Sequence, residues 1–395
     1  MSNDARGRRD HKTIDRIFGI PLVQIAGIYR RTSSVLRQKK NKANSPDDAP
    51  RVGVIGAGAI GDIILATGML AEVANLIQRA SVDLWLSPSN RAIAPLIDKS
   101  ITIRCLDISA PWQALADLRT QEYDILIDLL QWPRVTSLLA ALSRSDCRVG
   151  FATPLQHREA GYDVTVPHLN SRHEIDNFRS LLTPFGEAQG MPARLFVPPE
   201  SRRKIAHCGL SGAVVIHPWA AGTNPVLREW RPERWAIVAE AALGYGRRVV
   251  LTGSRADQAR TETLRARLPA AVESAAGILS LQETAALCEH SGAVVSVNTG
   301  IMHLAAVLGA PTVGLHGPTN PKRWGPVGPR AVAVVPSGVD YGYLNLGFEY
   351  PKSPPDSMGG IAADSVIDAM ERLMAGTLAR PRIPALSRPT EVVVQ

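Results

Sequence analysis

The sequence predicts an α/β protein of two doubly wound domains, each a parallel sheet with helices on both faces, joined so that a cleft faces the carboxyl ends of their strands. Three observations lead there. Short apolar runs alternate with longer amphipathic stretches, as expected of strands buried on both faces and the helices that cross over between them. That alternation occurs twice, on either side of a Pro/Gly-rich piece near residues 186–200. The 395 residues also exceed the roughly 250–300 at which a single core stops growing. The domains are expected at 51–200 and 201–377, between an arm and linker at 1–50 and a tail at 378–395.

The arm comes first. Within IFGIPLVQIAGIYRRTSSVLRQKK (17–40), Leu22, Ile25, Ile28, Tyr29, Val35 and Leu36 recur at helical spacing from Pro21, a residue suited to a first helical turn. Arg30, Arg31, Arg37, Lys39 and Lys40 lie behind and beside that stripe. The apolar part is too short and interrupted to span a bilayer, which takes about 20 consecutive apolar residues, and no small-residue cleavage site marks a signal peptide. An interfacial helix on an anionic leaflet, a disordered basic arm and a helix docked on its own domain all fit the pattern. NKANSPDDAP (41–50) is a polar linker. In the first domain RVGVIG (51–56) is a strand, DIILATGMLAEVANLIQRA (62–80) a helix, and VDLWLS (82–87) and DILIDLL (124–130) are further strands. In the second, AVVIHP (213–218), RRVVLTG (247–253), AVVSV (293–297) and PTVGLHG (311–317) are strands, with helices at 231–244, 256–267 and 301–309. A last helix, over about 363–376, follows YPKSPPDSMGG (350–360).

Charge and cysteine usage narrow the classes of function. Residues 1–42 hold eleven Lys/Arg against three Asp/Glu, 11 − 3 = +8, which is the whole formal excess; the remainder balances at 33 against 33. Basicity therefore belongs to the arm, and the body offers no nucleic-acid surface. Cys105, Cys147, Cys208 and Cys288 form no CxxC pair and no cluster with histidine. That spacing points away from zinc and from a disulfide framework, toward a reduced, cytoplasmic setting.

RVGVIGAGAIGD (51–62) carries Gly56-x-Gly58-x-x-Gly61 between a strand and a helix, the spacing of a dinucleotide-binding turn. Such a turn needs an acid at the end of the second strand to hold a ribose hydroxyl. Here Asp83 opens the second strand and Ser87 closes it. Asp62, moreover, puts an anion at the helix start, where a pyrophosphate needs positive potential. No nicotinamide, flavin or other cofactor is expected; an NAD(P)-dependent oxidoreductase would require Gly56, Gly58 and Gly61 to face a pyrophosphate. Asp62 fits a helix N-cap, and it also fits a base that takes a proton from a substrate hydroxyl.

Three strand ends stand out in the second half. IHPWAAGTNPVLREWRPERW (216–235) carries Arg228 in a small, polar loop, and LTGSRAD (251–257) sets Asp257 near a helix start. VVSVNTGIMHLAAVLGAPTVGLHGPTNPKRWGP (294–326) ends a strand at Asn298-Thr299-Gly300 directly before a helix, whose free N–H groups and dipole suit an anion. With GAIGDIILATGML (58–70), these segments resemble the family 9 glycosyltransferases, the heptosyltransferases that build lipopolysaccharide cores, over about residues 51–375.

The resemblance implies a GT-B fold of two Rossmann-like domains, with the acceptor in the first and the donor in the second. It also implies inverting, metal-free transfer from a nucleotide-diphosphate sugar, ADP-heptose, to a core or lipid-linked glycan. Asp62, after the turn of Gly58 and Gly61, matches the family's general base. Arg228 matches a basic residue on the donor diphosphate and Asp257 an acid on the donor ribose. Thr299 and Gly300 match the segment against the donor phosphates, and His303 the histidine on the helix that follows. Two positions depart: Asn298, where many members carry aspartate, and Trp219, where a small residue is common. Taken singly, Arg228 fits a surface charge, Asp257 and Thr299 fit helix starts, and His303 fits a core histidine. Their joint occurrence at three strand ends favours a site. No Asp-x-Asp pair at a strand end suggests a divalent ion. A nucleotide-sugar-binding protein without turnover, or an epimerase of the same fold, would keep many of these residues. A polyanionic lipid-linked acceptor would account for the basic arm and place the enzyme in the cytoplasm, at the inner membrane face.

Overall fold

A computed structural model of the chain describes residues 9–37, 49–344, 350–376 and 393–394. They fall into two compact units: one runs to Ala193 and includes Val393–Val394, and the other begins at Arg194. The linker expected at 41–50 and the tail expected at 378–395 lie largely outside the described residues.

The first unit contains α1 (Arg9–Arg37), β1 (Arg51–Gly56), α2 (Ile60–Leu76), β2 (Ser81–Leu86), β3 (Thr102–Cys105), α3 (Pro111–Leu118), β4 (Tyr123–Asp128), α4 (Arg134–Leu142), β5 (Ser145–Ala152), β6 (Val164–Pro167) and α5 (Glu174–Ser180). Its strands lie in the order β6–β5–β4–β1–β2–β3, all parallel. Val393–Val394 adds a short antiparallel edge beside β6. Central β1 and the helix after it are buried almost throughout, because layers cover the sheet on both sides. Asp83 on β2 takes hydrogen bonds from Arg104 Nε (2.6 Å) and Tyr123 Oη (2.8 Å), so that acid serves strand-to-strand contact. The unit runs to Ala193, and its own side chains hold the segment that leads there. Glu72 accepts the Met191 N–H (2.7 Å), and Arg179 donates to the Met191 carbonyl (2.6 Å).

The arm is not separate from this domain. α1 begins well before Pro21 and carries that proline inside it, a cost of about 3 kcal/mol in a free helix that tertiary contacts offset. Val23 and Ala26 are buried, and Gly27 lies so close to α4's neighbour Ala160 that a Cβ would sit 2.5 Å from its carbonyl oxygen. Asp15 Oδ1 accepts the N–H groups of Arg134 (2.9 Å) and Val135 (3.3 Å), capping α4 from another helix where its own N-cap, Pro133, has no acceptor side chain. Arg30 pairs with Asp163 and donates to the Tyr162 carbonyl (2.8 Å). No helix of the described residues is long and apolar enough to cross a membrane.

The second unit contains α6 (Pro199–His207), β7 (Val214–His217), α7 (Pro232–Gly244), β8 (Val249–Leu251), α8 (Gln258–Arg265), β9 (Glu273–Ser274), α9 (Leu281–Glu289), β10 (Ala293–Val297), α10 (Gly300–Val307), β11 (Thr312–Leu315), α11 (Pro321–Trp324), β12 (Ala331–Val334) and α12 (Ala363–Met374). Its strands run parallel in the order β12–β11–β10–β7–β8–β9. α7 and α12 share one core through Trp235, Val238, Val366 and Met370, with the Trp230 and Trp235 rings edge to face at 5.0 Å. In both units the chain lays three strands to one side and then reverses, so the switch points fall between β1 and β4 and between β7 and β10. Crevices outside the carboxyl ends of such strands are where open α/β sheets bind ligands.

Candidate functional site

At the first switch point β1 runs into Gly56, and α2 begins three residues after Ala57. Asp62 is the third helical residue, not the N-cap; Ala59 holds the cap position and has no side-chain acceptor. The carboxylate bends back and its Oδ2 accepts the Ala59 N–H at 3.0 Å. Gly58 leaves room for it, since a Cβ there would stand 2.8 Å from that oxygen and push the carboxylate aside. Gly61 is buried in the first turn of α2. Asn90, fully buried, donates through Nδ2 to the carbonyls of Gly56 (2.7 Å) and Gly58 (2.9 Å) and braces the turn from the loop after β2.

A second carboxylate, Asp128, ends β4 beside this turn, but both its oxygens are occupied. Arg158 and the Tyr162 hydroxyl each bind Oδ2 at 2.7 Å, and the Leu130 N–H binds Oδ1 at 3.0 Å. Asp128 is wholly buried while Asp62 is half-buried, so of the two only the Asp62 carboxylate reaches solvent.

In the second unit, strand register aligns the three predicted segments. His217 on β7 lies opposite Ser296 on β10, and Ile216 lies opposite Leu251 on β8. The loops after these strands therefore emerge side by side. Arg228 closes a short 3₁₀ turn (Pro225–Arg228) that Asn224 enters in the left-handed conformation, φ 46°. Its guanidinium donates to the Ala221 carbonyl, while its Nε is buried with no hydrogen-bond partner. Asn298 directly follows β10, and Thr299 is the N-cap of α10. Thr299 makes no cap bond, and its Oγ1 is also buried without a partner. Gly300 opens the helix, and His303 is buried on its first turn.

Asp257 sits at the start of α8 with its carboxylate fully engaged. Oδ2 accepts the Ser254 N–H (2.8 Å) and hydroxyl (2.6 Å), and Oδ1 accepts Arg260 Nε (2.9 Å). Burial works against its charge, but these bonds outweigh that effect and hold its pKa below the ordinary carboxylate value. Arg260 is the hub of this corner. It reaches Glu229 Oε1 (2.8 Å) and lies 4.1 Å from the ring centre of Trp219, whose indole N–H donates to Thr261 Oγ1 (2.8 Å). Trp219 is thus locked by packing and a hydrogen bond. His217 contacts Thr252 Oγ1 (3.0 Å).

Asn90, His217, Glu229 and Arg260 escaped the sequence reading. Arg260 had a signal, its three-residue offset from Asp257 on a helix; Asn90 had none, because the carbonyls it binds lie far away in the chain. Among the described residues no three His, Cys, Asp or Glu side chains are grouped as a metal ion would need.

Residues 112–339 match the profile of Glycosyltransferase family 9 (heptosyltransferase), more than half of the chain and the whole run from Arg228 to His303. Lipopolysaccharide heptosyltransferase 1 of Pseudomonas aeruginosa is 28% identical over 339 residues, covering 77% of this chain and 85% of that protein. Lipopolysaccharide heptosyltransferase 3 of Escherichia coli is 24% identical over 292 residues, 67% of this chain and 83% of that protein. Among solved structures, the E. coli ADP-heptose lipopolysaccharide heptosyltransferase II superposes with a TM-score of 0.68 at 18% identity, over 82% of this chain and 99% of that one. The E. coli heptosyltransferase WaaC with ADP gives 0.61 at 16% identity, with the same coverage. These superpositions agree with the two Rossmann-like sheets in identifying the GT-B fold, and the profile match carries the function class: the chain belongs to glycosyltransferase family 9, the heptosyltransferases.

Proposed function

We propose that this glycosyltransferase moves heptose from ADP-heptose to a hydroxyl of the lipopolysaccharide core, with inversion and without a divalent ion. The observation that supports this most is the Asp62 turn: a half-buried carboxylate that accepts the Ala59 N–H, at the carboxyl edge of a switch point. A sugar hydroxyl attacks the anomeric carbon as Asp62 takes its proton, the bond to the diphosphate breaks, and ADP leaves. One such displacement inverts the anomeric centre. Charge that develops on the leaving diphosphate is met by Arg228 and by the N–H groups at the start of α10, at Thr299 and Gly300. The buried donors Arg228 Nε and Thr299 Oγ1, which have no hydrogen-bond partner within the protein, are groups a diphosphate would satisfy. A donor ribose hydroxyl would displace one of the partners that now hold Asp257, the Ser254 hydroxyl or Arg260, and His303 supports the phosphate segment. Asn298 contributes an amide where an acid is common. The acceptor is lipid-linked, which puts the reaction at the cytoplasmic face of the membrane.

Asp62→Asn tests the reading. The amide oxygen still accepts the Ala59 N–H, so the fold is retained, but the amide takes no proton. Single-turnover transfer from ADP-heptose should slow by about 10²–10⁴-fold. A rate near that of the wild type would remove Asp62 as the base.

A further inference from the structure

α1 shows two different faces. Val23, Ala26, Gly27 and Arg30 turn toward the first domain and are buried. About a third of a turn away, Phe18, Leu22, Ile25, Ile28 and Tyr29 point outward, with Ile25 and Ile28 63% and 65% exposed. Of the stripe that helical spacing marks out, Leu22, Ile25, Ile28 and Tyr29 are therefore not what docks this helix, and the side chains of Val35 and Leu36 lie outside the described residues. A row of large apolar side chains on a helix held at both ends, by Asp15 on Arg134 and by Arg30 on Asp163, is not the frayed surface of a mobile arm. Contiguous apolar surface of this kind marks an interaction site.

Position and charge identify what covers it. Asp15 meets the start of α4, on the edge of the sheet where β1 and β4 end and Asp62 stands. Arg134 also donates to the carbonyl of Leu155 (3.5 Å), which is 84% exposed in the loop after β5, on that same edge. The apolar row thus begins beside the catalytic edge of the acceptor domain and runs away from it. Exposed Arg31 lies near its far end, and Arg37, Lys39, Lys40 and Lys42 follow in sequence, within a segment that holds the protein's entire excess of positive charge. Aromatic and aliphatic side chains flanked by cations match the acyl boundary and headgroups of an anionic leaflet. A protein partner of acidic character would leave Phe18, Leu22 and Ile25 without an apolar counterpart.

We propose that α1 is a fixed membrane-docking ridge that seats the first domain on an anionic bilayer through Phe18, Leu22, Ile25, Ile28 and Tyr29. It serves the transfer reaction proposed above but does not depend on Asp62 chemistry. The full-length chain should co-sediment with phosphatidylcholine vesicles that contain phosphatidylglycerol, and less as salt rises and screens the cationic flank. Replacing Leu22→Ser, Ile25→Ser and Ile28→Ser together, all on exposed positions, should lower vesicle partitioning by roughly tenfold or more and leave transfer to a short soluble acceptor unchanged. Absence of wild-type binding, or equal binding by the triple variant, would overturn the ridge. So would a wild-type dimer in solution that the triple variant converts to monomer without any vesicle binding, since the row would then pack against a second copy. Loss of transfer to the soluble acceptor by Asp62→Asn is read separately, so failure of one proposal is distinguishable from failure of the other.

Discussion

At the scale of single residues, the second domain places a buried imidazole beside its charged corner. Burial pushes the pKa of His217 down to about 4, although the nearby Asp257 carboxylate pulls the other way. The imidazole is therefore neutral at pH 7 and adds no cation next to Arg260. An unfolded chain takes this proton near 6.5. Between those values the unfolded state binds more protons than the native state, so stability is complete above about 6.5 and falls as pH drops toward 4. Over that range the loss approaches about 3 kcal/mol. Urea midpoints measured at pH 7 and pH 5 should fall more steeply for the wild type than for His217→Asn, which keeps a polar contact for Thr252 without a titrating group. Equal pH dependence in the two proteins would mean that His217 is protonated at little cost in the native state.

At the scale of elements, α1 and α4 depend on each other. Pro133 cannot cap α4, and Asp15 of α1 supplies both the acceptor and the partner of a nearly buried guanidinium on Arg134. Asp15→Ala removes both at once and should destabilise the first domain by about 1–3 kcal/mol. Chemical denaturation followed by a probe in that domain checks this; no change would show that α1 is held by its other contacts, Arg30 with Asp163 among them, without help from Asp15. The same dependence explains why α1 tolerates Pro21 in its interior. It also means that deleting the arm would disturb folding of the first domain, so a truncation cannot test the proposed membrane ridge by itself. The outward side chains of Ile25 and Ile28 can be altered without loss of folding, because they are exposed and are not the residues buried against the first domain. Of this arrangement only the helical spacing was legible in the sequence. Leu22 and Ile25 are more apolar than Gly27 or Ala26, yet the small residues dock because they allow the backbone to come close to Ala160.

At the scale of the whole chain, two sheets with the same order of parallel strands carry different chemistry at their switch points. The first holds an anion, Asp62, at the start of its first crossover helix; the second keeps an uncapped helix start at Thr299 and a cation at Arg228. ADP should therefore be a ligand of the second unit. Hydrogen exchange with ADP should show protection concentrated in the loops after β7, β8 and β10, and saturating ligand at 100 times its Kd should add about 2.7 kcal/mol of stability. The measurement is made in EDTA. Protection that vanishes there and returns with magnesium would contradict metal-free binding, and protection confined to the Gly56–Asp62 turn would return the dinucleotide reading.

The sequence by itself determined the strand–helix alternation, the two domains, the Asp62 turn and the helix start at Asn298-Thr299-Gly300. Each of these is local: a run of apolar residues, or a glycine and an acid a few positions apart, acts through backbone geometry within one turn. Tertiary structure alone decided that Asn90 braces Gly56 and Gly58, that Arg260 joins Asp257 to Glu229 and Trp219, and that Asp83 and Asp128 are consumed by internal partners. It alone decided which face of α1 docks. These outcomes pair groups from distant segments, and such pairs form only where packing brings them within hydrogen-bond range. Composition and spacing cannot express that distance, because one apolar stripe is equally suited to a core, a partner or a membrane until its neighbours occupy the other face.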